Sequence, residues 1–337
     1  MTILIVTNRV LNEKPSSPEF LFGETLNAKG GCEIRLATFD KNPDGTWRGD
    51  LIEEADEPTV DNVPSREKFR ELRGRLINDE KDCVFYVHGY NKSFAESLEQ
   101  CWEIQERYGV EVVGFSWPAD PAGVSPFDYF QARRVAASSA PALDLVLEKM
   151  GRYFRECLSE EPSGSAQCGV SFNLVIHSLG AFLFETFVRS GDFSGETRFF
   201  DNIVLNAADV DNPDHKSWID KLQFVPRLYV TLNEQDMVLA ASDIVNRDRL
   251  GNTARDLLAQ RPYYVDFTGA DHVGKAHRLF AEVPENPRVE AFFDLAFHGR
   301  AAERLPGIER DDENNVYVFQ PDRYVGADSD DGERMDR

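Results

Sequence analysis

The chain of 337 residues contains no run of about 18 apolar residues, the length a membrane-spanning helix needs. It also lacks a surplus of basic residues. Its 37 lysines and arginines stand against 59 aspartates and glutamates, a formal net charge of −22. Nucleic acids and anionic membrane surfaces are bound through basic patches, so neither is an expected partner. Cysteine is scarce. Cys32, Cys83, Cys101, Cys157 and Cys168 are odd in number and none has CxxC spacing, which argues against a disulfide framework and a zinc site and fits a reducing compartment. Cys83 and Cys101 lie in apolar segments and read as core residues. Met1 to Val10 carries no basic leader and no small-residue cleavage site follows; it reads as a first strand, with cytoplasmic residence expected. A Walker loop, a GxGxxG turn after a strand and an HExxH pair are all missing, so no metal or organic cofactor is expected.

What is present is a globular composition, 42 % hydrophobic, enough for one large domain. Ile3–Val6 and Glu33–Phe39 read as strands, and Lys68–Ile77 as a short amphipathic helix. From there the pattern is regular. Val84–Val87 is a continuous apolar run, as a buried parallel strand should be. Ser93–Tyr108 is a helix opened by a capping box of Ser93 and Glu96, with Phe94, Leu98, Cys101 and Ile104 on one face. Val112–Phe115, Phe172–Ile176, Ile203–Leu205, Leu228–Thr231 and Tyr263–Phe267 are further strands. Between them come helices at 129–158, broken or kinked at Pro141, and at 181–188, with a closing helix at 288–297. Strands alternating with helices predict a mostly parallel central sheet with helices on both faces. The expected division is one α/β domain over residues 1–305, with a cap segment at 118–140, followed by an acidic tail over 306–337 holding one short strand at Val316–Phe319.

The segment Leu174-Val175-Ile176-His177-Ser178-Leu179-Gly180 runs a strand into a serine and then a helix. This is the pattern of a nucleophile elbow, which lifts the serine Oγ above the sheet of an α/β-hydrolase fold. The N–H of Leu179 is then one oxyanion donor. The usual pattern is G-x-S-x-G, and Ile176 occupies the first glycine position, where a β-branched side chain should crowd the turn. His177 reads as a packed, hydrogen-bonded histidine. Val87-His88-Gly89-Tyr90-Asn91 follows the Val84 strand, where the second oxyanion donor belongs. Tyr90 N–H is the expected donor, Gly89 allows the sharp turn, and His88 braces the loop.

A serine hydroxyl needs a base and a group that orients the base. The fold dictates the order serine, acid, histidine. Asp236 follows the Leu228 strand and is the preferred acid; Asp209, after the Ile203 strand, is the runner-up and could instead shape the pocket floor. His277, soon after the Tyr263 strand and before Leu279 and Phe280, is the preferred base, with His272 the alternative. His298 ends a helix, and His215 lies in a polar loop and reads as surface. Phe127, Tyr129 and Phe130 could line an acyl pocket.

Several of these segments together resemble an uncharacterised bacterial α/β-hydrolase family, a domain of unknown function. They are Val6-Thr7-Asn8-Arg9, Val87–Asn91 with Ser93-Phe94, Gly114-Phe115-Ser116-Trp117-Pro118, Ile176–Gly180, Leu205–Asp211 and Asn233–Asp236. The resemblance covers Met1 to about Phe297. It implies a lipase- or esterase-like core with a triad of Ser178, Asp236 and His277, and places Trp117 at the mouth of the site; His88, Gly89, Trp117 and Asp209 are the candidate substrate-binding residues. The departures are Ile176 and the acidic tail. The expected activity is hydrolysis of a small-molecule acyl ester or thioester through an acyl-enzyme. A catalytically silent binding protein, and an acyltransferase or amidase with the same triad, are the alternatives.

Overall fold

A computed structural model describes residues 1–321 except 28, 31–32, 55–62, 121–122, 124, 160–168, 192, 194 and 244–247; for 157–159, 196 and 243 it describes the backbone alone. The expected acidic tail beyond 321 therefore lies outside the described residues. The chain opens with β1 (Thr2–Thr7), a small hairpin of β2 (Arg9–Leu11) and β3 (Phe22–Leu26), and then β4 (Arg35–Lys41) and β5 (Trp47–Ile52). The regular alternation follows: α1 (Pro64–Asn78), β6 (Cys83–Val87), α2 (Phe94–Tyr108), β7 (Glu111–Ser116), α3 (Pro126–Ser159), β8 (Phe172–His177) and α4 (Gly180–Arg189). The last part holds β9 (Asn202–Asn206), α5 (Lys216–Ile219), β10 (Arg227–Leu232), α6 (Met237–Asp243), β11 (Tyr263–Asp266), α7 (Leu279–Glu282), α8 (Pro287–Phe297), β12 (Ile308–Asp311) and β13 (Val316–Phe319).

The main sheet has 11 strands in the order β12-β13-β11-β10-β9-β8-β6-β7-β1-β4-β5. From β13 to β1 every neighbouring pair is parallel, and the antiparallel strands β12, β4 and β5 sit at the two ends. The parallel part is buried on both faces, which is why its strands read as unbroken apolar runs. Alternate residues serve opposite layers. Leu174 and Ile176 of β8 join α1, α3 and α4 on one face, while Val175 joins α2, α7 and α8 on the other. The chain moves outward from β6 to β7 and then returns to lay β8 on the other side of β6. That reversal makes the carboxyl ends of β6 and β8 the topological switch point of the sheet, the place where open α/β sheets bind ligands.

Three expectations change. Residues 306–321 are not tail: β13 pairs in parallel with β11 and β12 pairs with β13, so the sheet extends to Phe319. Pro141 does not end its helix, since α3 runs unbroken for 34 residues. The cap segment begins as a loop but becomes the first turns of α3, which pack on α4 and contribute Tyr129 and Ala132 to the core. No helix among the described residues is long and apolar enough to cross a membrane.

Candidate active site

The turn after β8 has the geometry of a nucleophile elbow. Ser178 takes φ +53, the left-handed region that a residue with a side chain occupies only when its surroundings enforce it. Two backbone hydrogen bonds enforce it here. Ser178 N–H donates to the carbonyl of Asn206 at 3.0 Å, and Asp209 N–H donates to the carbonyl of Ser178 at 3.2 Å. The segment that supplies them, just after β9, is itself strained, with Ala207 at φ +49. Ile176 does not prevent the turn. Its side chain is fully buried in the same apolar layer as Val87, Leu179 and Leu205.

Two glycines let the loop after β6 press against this elbow. A Cβ on Gly89 would stand 2.7 Å from Ser178 Cβ and 3.1 Å from the carbonyl oxygen of His177. A Cβ on Gly180 would stand 2.7 Å from the carbonyl oxygen of His88. The contact sets Gly89, the residue before Tyr90, against Ser178. Among the described residues, no protein group takes up the N–H of Tyr90 or of Leu179. Two unpaired donors next to a strained serine form the kind of hole that stabilises an oxyanion.

His88 and Trp117 hold that loop from beneath. His88 Nε2 accepts from Trp117 N–H at 3.2 Å, so the proton sits on Nδ1, which donates to the carbonyl of Gly89 at 3.0 Å. Trp117 Nε1 donates to the carbonyl of His88 at 2.9 Å, and the rings stack 3° from parallel. Burial, with the Arg9 charge adding to it, lowers the His88 pKa to about 3, so the ring is neutral. Trp117 is fully buried. Neither ring lines the mouth of the site, contrary to the expectation for Trp117 and the substrate-contact role of His88; they brace it.

Asp236 and His277 are brought together. His277 Nδ1 and Asp236 Oδ2 are 2.6 Å apart, and Asp236 is fully buried while Oδ1 caps α6 by accepting from Val238 and Leu239 N–H. The His277 ring packs edge-to-face on His177, the residue before the serine, at 4.7 Å. The loop is held behind by Glu282, which accepts from His277 and Arg278 N–H. Ser178 is 4 % exposed, and its Oγ has no hydrogen bond among the described residues, so the serine–histidine link is open in this conformer. Such links are commonly loose before substrate binds. His272 is exposed, with φ +63, and makes no hydrogen bond or ion pair with a carboxylate among the described residues.

Among the described residues Asp209 makes no hydrogen bond or ion pair with His277. It is buried and accepts from Tyr129 OH at 3.0 Å and Ser242 Oγ at 2.9 Å, and pairs with Arg249 Nε at 3.1 Å. It therefore anchors the segment under the elbow to α3, α6 and the loop at 249. His177 is packed as expected, but its ring nitrogens find no protein partner among the described residues; burial, helped by His277, keeps it neutral. His215 is buried, not surface, bonded to the carbonyl of Asn212 and to Tyr264 OH. Phe127 and Phe130 are exposed at 68 % and 46 %, and only Tyr129 of that trio is buried.

The sequence did not single out Arg249, Ser242 or the side chain of Asn233. Arg9 stood out only as part of a motif. It is fully buried, donates to Ser116 Oγ, Glu24 and the carbonyl of Lys92, and so ties the β2–β3 hairpin to the end of the Tyr90 loop. A separate cavity of about 610 Å³ between β1, β4 and the helices α1 and α3 is lined by Val6, Leu36, Phe69 and Met150, and its described lining includes no histidine or cysteine.

The parallel sheet, the strained serine at its switch point and the acid–histidine pair define a protein of the α/β-hydrolase fold. The chain belongs to the family described as "Alpha/beta hydrolase of unknown function (DUF900)", whose model matches residues 65–265, well over half of its length. No curated protein matches it.

Proposed function

We propose that the protein is a serine hydrolase that cleaves a carboxylic ester or thioester through an acyl-enzyme. The observation that carries this reading is the 2.6 Å contact of His277 with buried Asp236, beside a serine held at φ +53. In the reaction, rotation of Ser178 Oγ brings it to His277 Nε2, which takes its proton as the oxygen attacks the acyl carbon. The oxyanion is held by the N–H groups of Leu179 and Tyr90. His277 then returns the proton to the leaving alcohol or thiol. A water molecule, deprotonated by His277, attacks the acyl-enzyme and releases the acid and free Ser178. Asp236 fixes the tautomer of His277 throughout. Each oxyanion donor contributes about 3 kcal/mol of transition-state stabilisation in comparable sites.

An apolar substituent on the substrate is supported by exposed apolar side chains on α3 and α6, the helices that carry Tyr129 and follow Asp236. Phe127 and Phe130 stand at the start of α3, and Met237 and Val238 directly follow the acid in α6. The net charge of −22 favours a neutral ester over an anionic one. The experiment is incubation with a fluorophosphonate probe beside Ser178→Ala, Asp236→Ala and His277→Ala. Labelling that vanishes without the serine and falls sharply in the other two is expected. The open Ser178 Oγ favours one competing reading, a binding protein that keeps the fold without the chemistry. Absence of labelling in the folded wild-type chain would select it. Transfer to an added alcohol or amine would redirect the assignment to acyl transfer.

A further inference from the structure

The acid and the base stand on two different loops, after β10 and after β11, and their 2.6 Å contact depends on how those loops meet. One side chain joins them. Asn233 is the first residue beyond β10 and only 2 % exposed. Its amide nitrogen donates to the carbonyl of Gly274 at 3.0 Å and to that of Ala276 at 2.8 Å, the residue just before His277. Its side-chain oxygen accepts from Gln235 N–H at 3.1 Å, and its own carbonyl accepts from Asp236 N–H at 3.0 Å. These last two bonds shape the turn that carries the acid.

The same residue reaches the elbow. Asn233 N–H donates to the carbonyl of Gly251 at 3.0 Å, and Gly251 N–H donates to the carbonyl of Ala208 at 3.0 Å. A Cβ on Gly251 would fall 2.4 Å from Ala208 N, so this loop lies flat against the segment that strains Ser178. Every polar group of Asn233 is therefore spent on a loop of the site: two donors on the base loop, two acceptors on the acid loop, one donor on the support of the nucleophile. We infer that Asn233 is the positioning residue of the site, the link that sets the His277 loop against the Asp236 loop and both against the elbow. It touches no substrate. It acts by fixing where the imidazole stands, and a displacement of about 1 Å in a reacting group costs on the order of 100-fold in rate. The chemistry needs an amide here. Aspartate has the same shape but would set a carboxylate oxygen against two carbonyl oxygens, and alanine supplies no donor at all.

The inference rests on the proposed triad, and its test is chosen to stand apart from it. A histidine Nδ1–H held 2.6 Å from a buried carboxylate oxygen gives a far-downfield proton resonance, assignable by its loss in His277→Ala and Asp236→Asn. In Asn233→Asp and Asn233→Ala the resonance should broaden or vanish, and fluorophosphonate labelling should slow about 100-fold, with circular dichroism unchanged. Asn233→Ser, which keeps one donor, should fall between wild type and Asn233→Ala in both readouts, and it serves in the same way if the other two fail to fold. An unchanged resonance in any folded variant overturns the inference. A wild-type chain that never labels, but loses the resonance in Asn233→Asp, keeps the positioning role and removes the hydrolase reading instead.

Discussion

Replacing Gly89 by alanine is the sharpest perturbation the site offers. The added methyl would sit 2.7 Å from Ser178 Cβ and 3.1 Å from both the His177 carbonyl oxygen and its Nδ1. Carbon atoms settle at about 3.5–4.0 Å, so the loop must retreat by roughly 1 Å. The elbow cannot yield in its place, because Ser178 is pinned to Asn206 and Asp209 by backbone hydrogen bonds. Overpacking of this kind costs about 1–3 kcal/mol of stability. The retreat also carries Tyr90 N–H out of reach of the oxyanion, and losing one such donor lowers the rate about 10²–10³-fold. Urea denaturation would read the first quantity and the fluorophosphonate labelling rate the second. Gly74→Ala in α1, where an added Cβ meets nothing within 4 Å, is the control and should stabilise by about 0.5–1 kcal/mol without touching labelling. A Gly89→Ala protein that labels and unfolds like wild type would refute the argument that this loop forms the oxyanion wall.

Asp236→Asn, which keeps the shape but offers the wrong partner to His277 Nδ1, should slow labelling by about 10⁴-fold while leaving the fold intact by circular dichroism. His88 and His177 are both held neutral by burial, with the first lowered to about 3, whereas each unfolds to an ordinary histidine near 6.5. The unfolded chain then binds more protons than the native one below about pH 6.5, so stability falls as pH drops through that range, by up to about 1.4 kcal/mol per pH unit for each histidine. Urea midpoints at pH 7 and pH 5 would show this, and His88→Gln should flatten the slope by about one proton; equal midpoints in wild type would contradict it. Asp209→Ala strips buried Arg249 and two hydroxyls of one shared acceptor and should cost about 3–5 kcal/mol, read by thermal or urea denaturation. Arg9→Met should destabilise by about 3 kcal/mol, through the carbonyl of Lys92 and Ser116 Oγ left without their donor, and should slow labelling as the Tyr90 loop loosens.

The sheet was legible because its parallel strands are buried on both faces and so appear as apolar runs such as Val84–Val87 and Phe172–Ile176. The ends of the sheet were harder. Trp47–Ile52 and Ile308–Asp311 face solvent on one side, with charged residues at Arg48, Asp50, Glu309 and Arg310, and resemble loops. The turns that carry Ser178, Tyr90 and Asp236 could be located because each follows an apolar strand run. His277 could be preferred to His272 only weakly from spacing; the 2.6 Å contact that separates them depends on how two distant loops fold back. The buried polar residues were the hardest to read. Asn233, Arg249, Ser242 and His215 carry no periodic signal, and Trp117 and His88 face each other under the loop instead of facing a substrate, which only tertiary packing decides.

Ser178 and Ala207 lie on neighbouring strand ends, both in the left-handed region, with the backbone of one segment holding the other. Neither turn can be completed alone. A nascent chain that has left the ribosome only as far as α4 already contains the serine, yet has no β9 to bend it. On the proposed reading, reactivity thus arrives with assembly and is not a property of the local peptide. A covalent serine probe therefore doubles as a gauge of tertiary structure, and in a partly denatured population it counts the molecules whose two half-sheets are joined.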